Sequence, residues 1–468
     1  MFSSIEVFSE RVALLPHNKK EITYGELIAR GKSIAELVAP RSLVLVMARN
    51  SPDFIASYVG LHRAKICQLI VSDTITPEAL ANLVATFRPN YTLLPVSYTA
   101  YVHAGEVHDI GDGYRLIELK VLDRLEINEH LSLLLSTSGS TGSPKLVRLS
   151  QQNIETNSKA IIEYLSILST DRAITTMPLS YSFGLSILNT HLMAGASVVL
   201  TDTNIMNREF WTLFETKSVT SLSGVPYFFE MLKKLQFERL KLPSLRYITQ
   251  AGGKLRVDLA NDFTEYCLKR NCEFYIMYGQ TEASPRMAYL CATRHREKIS
   301  GIGRAIPGGE FWIQDAQGKR ITGPGEAGEL FYRGTNVSLG LAENHRDLAL
   351  GDVNRGILAT GDIAMRDVDG FYFIVGRKSR FLKVFGLRVN LTDLEAALLS
   401  EGYEAVCVGN DDKLSIFVAN LDEPVKVEDL VVRLTGIRKT GFDLRRVKKI
   451  PRTSTGKVEY KFFSELKE

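Results

Sequence analysis

The sequence predicts an α/β protein with a large multi-subdomain N-terminal domain on mostly parallel sheets and a small α+β C-terminal domain. Three observations lead there. Short, dense apolar runs alternate with helical patterns through the first hundred residues, as at 43–47. Such alternation argues for parallel strands covered on both faces. The chain has 468 residues, more than a single core commonly serves. Near residue 377 it turns charged, and a second, compact set of alternating elements follows.

Each element has a local cause. Thr23 is placed to cap a helix, with Glu26 three residues on completing a capping box; Ile28, Ile34 and Leu37 supply its apolar face. Residues 43–47 read as a buried strand. Ser51 and Pro52 open a helix through Phe54, Tyr58 and Leu61, and a strand follows at 66–70. Thr76 and Pro77 start a helix to Phe87, since proline suits the first helical position. A strand follows at 91–94, while 110–129 indicate only packing strands and turns. Further on, the pattern gives a helix over 150–168 capped by Ser150, strands at 171–177 and 219–224, and an amphipathic run at 228–235. Strands at 245–250 and 274–277 follow. Asp369-Gly370 marks a hairpin whose return strand is 371–375. The last part gives helices at 393–399 and 427–434, with strands at 404–408 and 413–419.

Composition excludes several classes. Hydrophobic residues make 45% and charged residues 24%, ordinary for a globular protein. The net charge of +4 is too slight to argue for nucleic acid. The five cysteines show neither disulfide density nor metal-ligand spacing, and Cys267 and Cys272 read as core packing. The first residues lack a basic region followed by an apolar core, and no run approaches 18 uncharged apolar residues. A cytoplasmic location without stable membrane insertion is expected.

The most informative stretch is Leu135-Ser136-Thr137-Ser138-Gly139-Ser140-Thr141-Gly142-Ser143-Pro144-Lys145. It follows an apolar run at 131–135 that reads as a buried strand. A segment this polar does not pack as core, but it can wrap an anion. Gly139 and Gly142 let backbone amides converge, the hydroxyls donate to oxygen, and Lys145 adds a mobile positive charge. The plain alternative is a flexible Ser/Gly linker. It is not the usual P-loop, since Ser143 and Pro144 separate Gly142 from Lys145.

Other polar stretches recur downstream. Pro178-Leu179-Ser180-Tyr181-Ser182-Phe183-Gly184 contains no acid. Gln250-Ala251-Gly252-Gly253 ends a strand, and its glycines permit either close approach of a flat ligand or a tight turn. Tyr278-Gly279-Gln280-Thr281-Glu282 ends another, joining an aromatic face, a hydroxyl and a hard oxygen ligand. Thr360-Gly361-Asp362 puts a carboxylate after a glycine turn, suited to two hydroxyls or to an Asx turn. Arg377 precedes a charged linker, and Lys457 sits in a Gly-bearing polar loop near the end.

Together these stretches resemble the adenylate-forming superfamily of acyl-CoA synthetases, carrier-protein adenylation domains and luciferases. The resemblance runs in order from Thr23 to Lys457. It implies a large domain over 1–376 with a barrel-like subdomain, a hinge at 377–383 and a mobile cap over 384–468. It implies ATP and Mg²⁺, a carboxylic acid substrate and a thiol acceptor. That acceptor is expected to be coenzyme A, since no carrier domain is fused to the chain. The phosphopantetheine thiol of a separate carrier protein is the alternative.

The resemblance also assigns roles. Thr137, Ser138, Gly139, Ser140, Thr141, Gly142 and Lys145 would hold phosphates. Gly252, Gly253 and Tyr278 would border adenine, and Thr281 would reach phosphate. Glu282 would hold Mg²⁺. Asp362 would accept from the ribose hydroxyls, and Arg377 would reach ribose or α-phosphate. Lys457 would be the catalytic lysine, and Gly386 would border the thiol path. Tyr181, Tyr227, Gln250, Ala251 and Gly252 would line the acid pocket, Tyr181 either gating it or packing. At the hinge position, where many members carry Asp or Lys, this chain has Ser379. Adenylation domains for α-amino acids carry an Asp near 181; its absence from 178–187 disfavours an α-amino acid. Arg433, Arg438, Lys439, Arg445, Arg446, Lys448 and Lys449 form a basic set suited to a carrier protein, to CoA or simply to solubility. A non-catalytic nucleotide- or acyl-binding protein and a kinase-like transferase releasing ADP are the other classes considered. The first would have lost Lys457, Glu282 or Asp362, and all three are present.

Overall fold

The computed structural model describes residues 2–98, 106–110, 113–119, 126–136, 145–384, 387–409, 413–419, 421–453 and 457–466. It divides into two units, one of 1–311 with 332–358 and one of 312–331 with 359–468.

The first unit is built on two large sheets. One runs in the order Arg304–Ala305, Ala288–Cys291, Glu273–Tyr278, Tyr247–Gln250, Ser221–Gly224, Arg172–Ile174, Ser197–Leu200, Val12–Pro16, Ile22–Thr23. From Glu273–Tyr278 to Val12–Pro16 the neighbours are parallel, and the edge pairs are antiparallel. The other sheet centres on four parallel strands, Leu131–Ser136, Cys67–Ser72, Leu43–Ala48 and Tyr91–Pro95, again with antiparallel edges. Leu43–Ala48 is buried at every position, as a strand covered on both faces requires.

Local signals act as expected. Thr23 and Glu26 close the capping box of helix Tyr24–Glu36. Ser51 caps Pro52–Arg63 and Thr76 caps Pro77–Phe87. The first two of these helices touch through Gly31 and Gly60: a Cβ on Gly60 would lie 2.0 Å from the Gly31 carbonyl oxygen. All five cysteines are buried and free.

One strand is shorter than its sequence suggests. Residues 171–177 read as a strand, yet the strand spans only Arg172–Ile174. The buried Asp171 side chain is taken up locally, accepting from the Leu168 amide at 2.8 Å and pairing with Arg246. At the other end Pro178 cannot donate to a ladder.

The second unit carries a five-stranded sheet ordered Arg320–Ile321, Glu310–Gln314, Gly328–Arg333, Ile357–Arg366, Tyr372–Arg377. Its last two strands form the hairpin signalled by Asp369-Gly370. The hairpin Phe381–Val384 with Leu387–Asn390 follows, then a three-stranded sheet of Ala405–Gly409, Leu414–Ala419 and Phe442–Val447. Helices Leu391–Ser400 and Pro424–Thr435 contribute Leu394, Leu398, Val427 and Val431 to the core beside that sheet. The whole is the mixed α/β and smaller α+β architecture the sequence predicts. No helix among the described residues is long and apolar enough to cross a membrane.

Candidate active site

Strand Glu273–Tyr278 delivers the Tyr-Gly-x-Thr-Glu stretch. Backbone crowding shapes its turn: a Cβ on Gly279 would lie 1.8 Å from the Pro285 carbonyl oxygen. Thr281–Ala283 then form a 3₁₀ turn. The Ser338 amide donates to the Glu282 carbonyl at 2.8 Å, and the Asn336 amide group donates to Ala283 at 2.7 Å. The backbone beneath Thr281 and Glu282 is therefore fixed from a distant segment, Asn336 standing 53 residues beyond Ala283. Both side chains are half-buried, as is Tyr278, whose ring lies 6.4 Å from that of Phe311.

Two distant stretches meet here. Ser182 Oγ lies 3.1 Å from Thr281 Oγ1. Ser182 opens helix Ser182–Met193, and Tyr181 precedes it without a side-chain cap. The Tyr181 hydroxyl lies over Gly252, where a Cβ would come within 2.8 Å of it. Gly252 also has a φ of +85°, so glycine is favoured twice over. Burial holds the Tyr181 phenol above its usual range, and Arg286 opposes that shift.

The residues expected to line an acid pocket divide. Tyr181, Ala251 and Gly252 come together. Gln250 is fully buried; its Nε2 donates to the Gly253 carbonyl at 2.8 Å, while its Oε1 has no partner among the described residues. Gly253 is exposed, and a Cβ there would meet Pro226 at 3.2 Å. Tyr227 is 43% exposed at the start of helix Pro226–Lys234. Phe228, the next residue, packs against Gly224 instead.

Of the expected phosphate segment, Thr137, Ser138, Gly139, Ser140, Thr141 and Gly142 lie outside the described residues. The strands on either side, Leu131–Ser136 and Leu146–Ser150, pair antiparallel and bring its two ends together. Lys145 is exposed and sits 2.8 Å from Glu343. Both side chains are about half in water, so that pair is weak.

In the second unit, Asp362 is buried and faces Arg377 across the hairpin, with the Arg377 Nε 3.4 Å from its carboxylate. The Thr360 hydroxyl accepts from the Asp362 amide at 3.1 Å. Lys457 closes a loop in which the Thr453 amide donates to its carbonyl at 2.7 Å. Gly386 lies outside the described residues. Several of the basic residues are matched locally: Lys439 by Glu428 and Asp429, Arg445 by Asp443, Arg446 by Asp422. That tempers any single-sign field on this face.

Sequence reasoning passed over Ser182, Asn336 and Arg286. Arg286 lies four residues after Glu282 and two before strand Ala288–Cys291, a position with no local mark of burial.

The sequence model of the AMP-binding enzyme family matches residues 2–342. The chain belongs to that family. It is 25% identical to a linear gramicidin synthase polypeptide of Brevibacillus parabrevis over 90% of its own length and 6% of the other's. It is 29% identical to a 2-succinylbenzoate–CoA ligase of Bacillus pumilus, over 63% and 58%. It thus spans less than two thirds of both relatives. Against an indoleacetate–CoA ligase of Aromatoleum aromaticum the identity is 26%, over 94% and 92%. In fold it matches o-succinylbenzoate CoA synthetase of Bacillus subtilis in complex with an acyl-adenylate intermediate. The TM-score is 0.80 with 19% identity, covering 100% of this chain and 97% of that one.

The donor set fits the ligands such enzymes use. Among the described residues no cluster of three or more His, Cys, Asp or Glu side chains could enclose a metal. Magnesium takes one or two carboxylates and draws its other ligands from phosphate and water, and Glu282 is a half-buried carboxylate on that fixed turn.

Proposed function

We propose that this enzyme activates a small carboxylic acid with ATP and passes the acyl group to the thiol of coenzyme A. The reading rests above all on the Ser182–Thr281 contact. It links the turn assigned to the acid with the hydroxyl and carboxylate assigned to phosphate.

A carboxylate is a poor electrophile and hydroxide a poor leaving group. In-line attack of the carboxylate on the α-phosphorus of ATP removes both obstacles, and pyrophosphate departs. Lys457 bridges the attacking carboxylate and the α-phosphate, where charge accumulates. Thr281 donates to phosphate, as do the hydroxyls and amides of the 136–145 stretch, with Lys145 beside them. Magnesium, when bound through Glu282, neutralises phosphate charge. Tyr278 stacks on adenine, with Gly252 and Gly253 at its edge. Asp362 takes the ribose hydroxyls and Arg377 reaches ribose or α-phosphate. Tyr181, Tyr227, Gln250, Ala251 and Gly252 orient the acid. Most of the remaining rate gain is positioning.

For thiol transfer, the cap of 384–468 turns about 377–383, removing Lys457 and bringing Gly386 to the thiol path. Arg380 supports a pivot at or before Ser379. It is tied to the cap by Glu395 at 2.5 Å, by the Cys407 carbonyl at 2.9 Å and by the Tyr460 ring at 4.1 Å. Residue 380 is thus positioned to move with the cap.

Transfer to a separate carrier protein is the second reading, supported by the likeness to a gramicidin synthase polypeptide. Acid-dependent exchange of labelled pyrophosphate into ATP tests the first step, with AMP as the expected nucleotide product once a thiol is supplied. Stoichiometric ADP overturns the assignment. Supplying CoA and a phosphopantetheinylated carrier in separate reactions decides the acceptor.

A further inference from the structure

Arg286 is the anomalous cation of the first unit. Only 3% of it is exposed, and its Nε has no hydrogen-bond partner among the described residues. Other inward-facing arginines are satisfied. Arg148 donates to the carbonyls of Leu339, Leu341, Leu350 and Gly351, and Arg246 pairs with Asp171. Among the described residues no carboxylate pairs with Arg286. Its guanidinium carbon instead sits 4.0 Å above the centre of the Phe183 ring.

A ring face offsets only part of the cost of taking a guanidinium out of water. Burial accordingly pulls the Arg286 pKa down, against the hydroxyls of Tyr164 and Tyr181. The backbone leaves it little freedom to withdraw. Its carbonyl accepts from Asn157 at 2.7 Å and from Asn336 at 3.0 Å. Its amide donates to Asn157 Oδ1 at 3.3 Å.

The surroundings say what would satisfy it. Phe183 is two residues beyond Tyr181, and the two rings meet edge to face with centroids 6.3 Å apart. Tyr181 in turn lies over Gly252. The charge therefore stands on the ring of Phe183, next to the Tyr181 wall of the assigned acid pocket, with the Tyr164 hydroxyl as its polar neighbour. A planar fork of N–H donors is matched best by a carboxylate, which accepts two parallel bonds.

We infer that the acid is a dicarboxylic acid: one carboxylate is activated, an apolar body lies against Tyr181 and Phe183, and the second carboxylate is received by Arg286. This rests on the acid-site assignment above.

The test uses the full chain in acid-dependent pyrophosphate exchange, which reports adenylation whatever the thiol acceptor. Succinate, glutarate, adipate and terephthalate are each compared with the monomethyl ester. The expected preference for the best diacid over its ester is on the order of a hundredfold in kcat/KM, the scale of losing a hydrogen bond to a charged group. Arg286→Leu should remove that preference chiefly through KM, and Arg286→Lys should keep part of it. A wild-type enzyme that prefers the esters overturns the inference, as does an Arg286→Leu variant that loses diacid and ester activity equally. If Arg286→Leu does not fold, the wild-type ratio and Arg286→Lys decide. Exchange with monocarboxylic acids such as indoleacetate but with none of these diacids overturns this inference alone, and exchange with no acid of any class overturns the ligase reading on which it rests.

Discussion

Ser182 and Thr281, 99 positions apart in the chain, hold their side-chain oxygens 3.1 Å from each other. Through that contact the start of helix Ser182–Met193 sets where the Thr281 hydroxyl can point. Ser182→Ala should therefore weaken adenylation without touching any assigned ligand group. One lost hydrogen bond amounts to about 1 kcal/mol, roughly a fivefold fall in kcat/KM for pyrophosphate exchange. Thr281→Ala should cost more, since it also removes the donor to phosphate, while Thr281→Ser should be mild. A Ser182→Ala enzyme with unaltered exchange kinetics would show that Thr281 is oriented by other means.

Lys457 is assigned to one half-reaction only. Lys457→Ala should slow adenylate formation by roughly a hundredfold or more, the scale seen when a group that stabilises transition-state charge is removed. Transfer from chemically prepared acyl adenylate to the thiol should be nearly unaffected. Single-turnover measurements of the two steps separate them, and equal losses in both would reject the role.

Asp362 and Arg377 are cross-strand partners, but the arginine side chain is 56% exposed and the carboxylate 11%. Their ion pair is a small contribution, under about 1 kcal/mol, so Arg377→Ala should hardly alter thermal stability. Asp362→Ala should instead raise the KM for ATP. The diagnostic is 2′-deoxy-ATP, which should discriminate strongly against wild type and far less against Asp362→Ala. Undiminished discrimination in the variant would place ribose recognition elsewhere.

Much of this molecule is legible before it folds. Thr23 with Glu26, Thr76 with Pro77, and Asp369-Gly370 act through neighbours in the chain, so local chemistry suffices. Helix Ser182–Met193 is harder. Asn189, Thr190 and His191 are buried along with Leu185, Leu188 and Leu192, which leaves no polar face to betray its period. Tyr227 and Phe228 show a second limit. Both are large and aromatic, and only the rotation of the helix decides that one is exposed while the other covers Gly224. Arg286 shows a third: nothing local in a sequence says that a charge will be buried without a counter-charge.

His62 gives the fold a pH dependence independent of catalysis. It is fully buried in helix Pro52–Arg63, with Nδ1 3.2 Å from Ser132 Oγ and Nε2 without a partner among the described residues. The Phe2 and Tyr58 rings lie 5.5 and 5.9 Å away. Burial lowers its pKa to about 3. In the unfolded chain it titrates near about 6.5. Between those values the unfolded state binds a proton that the folded state refuses. Its contribution is therefore intact above about pH 6.5 and is lost as the pH falls toward 3. From about pH 7 to about pH 5 the loss should be about 2 kcal/mol. His62→Phe removes the titration and should shrink the difference between the unfolding free energies from urea titrations at those two pH values by that amount. If the variant is as acid-sensitive as wild type, the acid lability arises from other groups.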